Sequence, residues 1–201
     1  MEYEIYILAT KSKTCFSRLI HFATAAPYTH VSIGLNGLDG DFYSFGRKYM
    51  RLLLPAGLVK EGIRPRGRTG VKYQLYRLTV SEGVYQKVKK HLWEMYGHRE
   101  QYHFNILGAF AAFFNRPLHR QSRYFCSQFV AETLQESGAL EFDKNIALVR
   151  PIDFCEISNL QLVSEGMIGE LGSAKDYPNP SEVVAWLPFG ERMVRAYRHF
   201  R

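Results

Sequence analysis

Thr29-His30-Val31-Ser32-Ile33-Gly34-Leu35, the loop Asn36-Gly37-Leu38-Asp39-Gly40, and Asp41-Phe42-Tyr43-Ser44-Phe45 together decide how this chain folds. Two short runs of β-branched and aromatic residues flank a stretch of Asn, Asp and Gly, the residues that tolerate the positive φ of a tight hairpin. The stretch predicts two antiparallel strands. Side chains alternate along a strand, so His30, Ser32 and Gly34 fall on one face and Val31 and Ile33 on the other. The small residues at 32 and 34 leave room for another element to approach the His30 face.

Upstream of the hairpin, Tyr3 to Ala9 predicts a first strand. Residues 14–25 predict a helix, because Phe16, Leu19, Ile20 and Ala23 recur at helical spacing before Pro27. Downstream, residues 46–70 are rich in Gly, Pro and basic side chains and predict a long excursion able to cover a cleft. Val71 to Val80 predicts a strand. Ser81 then caps a helix to about Tyr96, with Val84, Val88, Leu92 and Met95 on one face. A buried helix is expected over Phe104 to Phe114, stopping ahead of Arg116-Pro117. Another runs from Cys126 to about Ser137 and ends at Gly138, a residue suited to the left-handed cap. Beyond it, Gly166 to Pro180 predicts loop, Val183 to Phe189 a strand, and Glu191 to Phe200 a short basic helix. Hairpin-linked strands interspersed with amphipathic helices define the α+β class, an antiparallel sheet packed against helices.

The composition bounds the function. With 201 residues, 46% hydrophobic and 22% charged, the chain has the make-up of one self-supporting domain over 1–201. A net charge of +7 is compatible with weak association with anionic surfaces. The densest basic cluster, Arg64-Pro65-Arg66-Gly67-Arg68, is broken by Pro and Gly, and no nucleic-acid motif is present. Cys15, Cys126 and Cys155 form neither a CxxC pair nor a Cys/His grouping of metal-ligand spacing, so a disulfide framework, a structural zinc and any other cofactor are not expected. The apolar stretch Ile106 to Phe114 is too short to cross a bilayer. The opening Met1-Glu2-Tyr3-Glu4 lacks a secretory pattern, and free thiols suit a reducing cytoplasm.

The segment Tyr124-Phe125-Cys126-Ser127-Gln128-Phe129-Val130-Ala131 carries the chemistry. A cysteine in the first turn of a helix meets unpaired backbone N–H groups and the positive end of the helix dipole, which favour thiolate and can later hold an oxyanion. The same residue also fits an apolar stripe with Phe129, Val130 and Leu134, as a small buried side chain would. Cys15 opens a helix and retains a weaker form of the dipole argument, while Cys155 lies in an irregular segment and reads as structural. Imidazole is the side chain suited to take a thiol proton near neutral pH, and His30 stands beside the open face of its strand.

Thr29-His30-Val31-Ser32-Ile33-Gly34 in an early strand, Tyr102-x-x-Asn105 before a helix, and Tyr-Phe-Cys-Ser-Gln-Phe-Val-Ala at a helix start resemble the circularly permuted branch of the NlpC/P60 superfamily, the YiiX-like and lecithin:retinol-acyltransferase-like proteins. Histidine precedes cysteine here, as in the permuted members. The resemblance covers roughly residues 1–137 and implies a papain-like core there, with 138–201 as an extension. It implies a thiol hydrolase acting on an amide or ester of a peptide, an amino-acid amide or a lipid, with Cys126 as nucleophile and His30 as base. A third polar residue that orients the histidine is implied as well, often from the following strand. That strand offers no His or Glu, so Ser44 is the first candidate and Asp41 the second, and Asn105 matches a polar position able to shape the cleft. A thiol acyltransferase acting on lipids and a non-catalytic binding module that keeps the cleft are the alternatives.

Overall fold

A computed structural model describes residues 2–11, 27–37, 40–47, 56–62 and 70–168. Cys15, the Arg64–Arg68 cluster, the helix expected over 14–25, and the strand and helix expected after 180 lie outside the described residues. Every described residue belongs to one compact unit, Met1–Glu170.

Among the described residues eight strands form one sheet: β1 (Glu2–Thr10), β2 (His30–Gly34), β3 (Asp41–Arg47), β4 (Ala56–Gly62), β5 (Val71–Ser81), β6 (His103–Phe104), β7 (Arg123–Tyr124) and β8 (Gln161–Ile168). Their spatial order is β7-β6-β4-β3-β2-β1-β5-β8. Every pairing is antiparallel except that of β6 with β7. The hairpin forms as expected, with Ile33 opposite Tyr43 and Gly34 opposite Phe42. The room above Gly34 is taken by Phe42, whose ring lies 3.0 Å from where a Cβ at position 34 would stand.

Three helices lie among the described residues: α1 (Glu82–Gly97), α2 (Ile106–Phe113) and α3 (Cys126–Ser137). Ser81 caps α1 as its sequence predicts, its Oγ accepting from the Val84 N–H at 3.5 Å, and Val88, Leu92 and Met95 are buried along one face. Helix α3 ends at Gly138, which takes φ 76°, a conformation that costs glycine nothing. Its inner side, with Phe129, Val130 and Leu134, joins Val31, Ile33, Phe45 and Leu58 of the sheet in one core. Phe45 and Phe129 meet edge to face with centroids 5.2 Å apart.

Three expectations are corrected. The excursion over 46–70 contains a strand, β4, paired along its whole length with β3 from Asp41–Gly62 to Arg47–Ala56; its Leu58 fills the core although Pro55 and Gly62 bracket the run as they would a loop. The core does not stop near 137. Val149, Phe154 and Leu160 belong to it, and β8, which begins well before the loop expected at 166, pairs with β5. The helix expected to be buried over 104–114 is shorter and largely exposed. Gly108 and Ala112 are its buried residues, whereas Leu107 and Phe110 are 58% and 52% exposed.

The parallel pair positions the candidate site. Strand β6 leads through Asn105 into α2, and β7 leads through Phe125 into α3. His103 lies opposite Arg123 and Phe104 opposite Tyr124, and the Asn105 N–H donates to the Tyr124 carbonyl at 2.9 Å. Both helices therefore start side by side from one end of the sheet, with Cys126 as the first residue of α3.

Candidate active site

Cys126 opens α3 behind Phe125, a residue with no side-chain oxygen to cap the helix, and no acidic side chain stands in the first turn. The first intrahelical bond seen there is from the Phe129 N–H to the Phe125 carbonyl, 3.0 Å. A helix start of this kind leaves its leading N–H groups to point outward at whatever lies beside the sulfur. Ser127, next in line, is spent on structure: its hydroxyl donates to the Val149 carbonyl at 2.6 Å and ties the later chain to α3.

His30 opens β2 opposite Thr10, and the two strands are closed there by the Thr29 N–H to the Thr10 carbonyl, 3.0 Å. The fold brings the imidazole beside the Cys126 side chain, close enough for the sulfur to help raise the pKa of the ring, across 95 intervening residues of sequence (31 to 125). Its Nε2 lies 3.1 Å from Oε1 and 3.3 Å from Oε2 of Glu61. The His30 and Glu61 side chains retain 15% and 13% of their exposure; Cys126 retains 8%. The three groups share a recess that is nearly closed.

Charge governs this recess. Burial by itself lowers the tendency of the imidazole to carry a proton, but the Glu61 carboxylate and the hydrogen bonds to Cys126 and Glu61 outweigh it and raise the His30 pKa from 6.5 to about 10. An imidazolium next to a carboxylate is the arrangement in which histidine is held both in orientation and in charge. Gly46 lies against the pair. A Cβ there would stand in ordinary contact, 3.4 Å from Glu61 Oε1 and 3.9 Å from His30 Cε1, so a side chain longer than that of alanine would crowd them.

Cys126 and His30 are thus brought together, and Ser44 does not join them. Ser44 is fully buried and its hydroxyl donates to the Val31 carbonyl at 2.6 Å, so its one proton is committed to the neighbouring strand. Asp41, the second candidate, pairs with Lys60 at 2.6 Å near the surface. The group beside His30 is Glu61, one strand further on, opposite Phe42 in the β3–β4 register. Its signal in the sequence is its isolation: between Asp41 and Glu82 it is the sole carboxylate, set among Arg and Lys. Asn105 is structural. Its Oδ1 accepts from the Gly108 N–H at 2.9 Å and its Nδ2 donates to the Leu118 carbonyl at 3.1 Å, which caps α2 and fastens the chain beyond it.

Cys155 contrasts with Cys126. Burial pushes its thiol above the ordinary range, offset in part by the hydrogen bond from Tyr76. Among the described residues no cluster of three His, Cys, Asp or Glu side chains could hold a metal ion, and no helix is long and apolar enough to cross a membrane.

No family model, no curated protein and no solved structure matches this chain.

Proposed function

We propose that this chain is a thiol hydrolase of the circularly permuted papain-like kind, which cleaves an amide or ester through a thioester on Cys126. The observation that carries the reading is the position of the His30 imidazole, beside Cys126 and 3.1 Å from the Glu61 carboxylate. This is the chain of nucleophile, base and orienting acid that activated thiols use.

In the proposed reaction His30, held in orientation by Glu61, takes the proton of Cys126. The sulfur adds to the substrate carbonyl carbon, and the leading N–H groups of α3 hold the negative oxygen. The imidazolium then gives its proton to the departing amine or alcohol as the carbon–heteroatom bond breaks, leaving the thioester and neutral imidazole. His30 takes a proton from water, the hydroxide displaces the sulfur, and the carboxylic acid product leaves. An alcohol or amine in place of water would make the same site an acyltransferase.

The second reading is a binding module that retains the cleft without turnover, favoured by the 8% exposure of Cys126. Acid-quenched mixtures of the protein with activated peptidyl and acyl esters, weighed as intact protein, decide between them. Hydrolysis predicts an acyl adduct on Cys126 that decays with turnover and is missing in Cys126→Ala. Saturable binding of the same compounds, with neither adduct nor product, would leave the binding module as the answer.

A further inference from the structure

We propose that the exposed face of α2 is a docking surface for an anionic lipid bilayer. Ile106, Leu107 and Phe110 lie along one side of α2, and Phe114 and Leu118 continue it beyond the helix, with exposures of 44%, 58%, 52%, 57% and 36%. Soluble chains rarely display large apolar side chains contiguously unless something covers them. The aromatic rings here pack on one another, Phe110 and Phe113 each edge-on to Phe114 with centroids 5.1 and 5.0 Å away. The helix is held from behind. Asn105 caps its start, and Arg150 Nη2 donates to the Ala112 carbonyl at 3.3 Å, so the apolar side is presented on a braced support.

The charges around this face select the occupant. From Tyr102 to Ala131 the sequence contains no Asp or Glu, while it contains His103, Arg116, His119, Arg120 and Arg123. Arg116, His119 and Arg120 are exposed and Arg123 is half-buried. An apolar ridge flanked in sequence by basic side chains, with Glu132 near His119 as an acidic neighbour, matches a layer of hydrocarbon beneath a layer of phosphates, with Leu107 and Phe110 entering the acyl region and the arginines at headgroup depth. Because α2 and α3 start side by side, a bilayer seated on α2 lies toward the end of the sheet where Cys126 stands. The docking itself does not depend on whether Cys126 is catalytic.

Co-sedimentation of the full chain with vesicles of phosphatidylcholine alone, and of phosphatidylcholine and phosphatidylserine in equal parts, tests this. Binding is expected to the mixed vesicles, to weaken by roughly tenfold or more when salt is raised to about 1 M, and to be lost by at least about tenfold in the paired variant L107E/F110E. R116Q/R120Q/R123Q should lose the preference for phosphatidylserine, while L162E, on the remote strand β8, should bind as the parent does. The variant F110W gives a reading free of folding effects: its added fluorescence should be quenched by brominated lipid in the mixed vesicles. Absence of sedimentation with either vesicle, equal binding by L107E/F110E, or an unquenched F110W overturns the proposal. So does a dimer in sedimentation velocity that L107E/F110E dissociates, since the face would then belong to a second copy.

Discussion

Replacing Glu61 by glutamine keeps the size and hydrogen-bonding reach of the side chain and removes only its charge. A carboxylate and an imidazolium 3.1 Å apart, at an effective dielectric of about 20, attract by about 5 kcal/mol. The rise of the His30 pKa from 6.5 to about 10 is the net of the opposing cost of burial, this attraction and the interaction with Cys126. Without the carboxylate, burial works against the proton with only the Cys126 contact opposing it. In Glu61→Gln the His30 transition is therefore expected to fall by several units, back toward or below the ordinary imidazole range. Proton NMR of the His30 ring between about pH 5 and pH 11 measures it directly. Stability follows with a definite sign. A folded-state pKa raised above the unfolded value contributes stability that is complete below about 6.5 and is lost as pH climbs to about 10. Denaturant midpoints of the parent should fall across that window, and those of Glu61→Gln should be flatter. A parent whose His30 titrates near 6.5, or a variant whose transition does not move, refutes the electrostatic account of the site.

Iodoacetamide at neutral pH should label Cys126 faster than Cys155, by at least about tenfold, because Cys155 is held as the thiol by burial; peptide mapping reads the ratio, and equal rates would remove the case for an activated sulfur. Ser44→Ala should leave the His30 titration and any turnover intact while costing about 1–2 kcal/mol, because it strips the Val31 carbonyl of a buried partner; a shifted His30 transition would instead return Ser44 to the site. Asn105→Ala should lower stability by about 1–2 kcal/mol through loss of the α2 cap, without changing the His30 transition. Gly46→Leu should wedge His30 away from Glu61, and a ring titration unchanged from the parent would show that the space beside Gly46 is not where the two side chains meet.

The elements that locate two of the three site residues were legible because their signals are local. The β2–β3 hairpin announces itself by alternation around a Gly-rich loop, α1 by Ser81 and an apolar stripe, and α3 by its stripe and Gly138. His30 and Cys126 sit at the starts of two such elements. What failed to read locally was whatever depends on partners distant in sequence. Strand β4 contains Leu58 and Val59 but also Lys60 and two glycines, and only its pairing with β3 turns that run into a strand. Glu61 inherits its role from that pairing. Strand β8 gains its reason to exist from β5. The exposure of α2 is likewise invisible in its composition, since eight apolar-rich residues suit a core and a surface equally well.

The sequence by itself determined the α+β class, the hairpin, the capped helices and the candidacy of Cys126 and His30, because each rests on side-chain period, turn chemistry or helix-end geometry within a few residues. The tertiary structure alone decided that Glu61, not Ser44, stands beside His30, and that the apolar side of α2 faces outward. Those outcomes depend on which strands become neighbours and which helix face finds a cover, and chain segments that meet only on folding carry no local mark of the meeting.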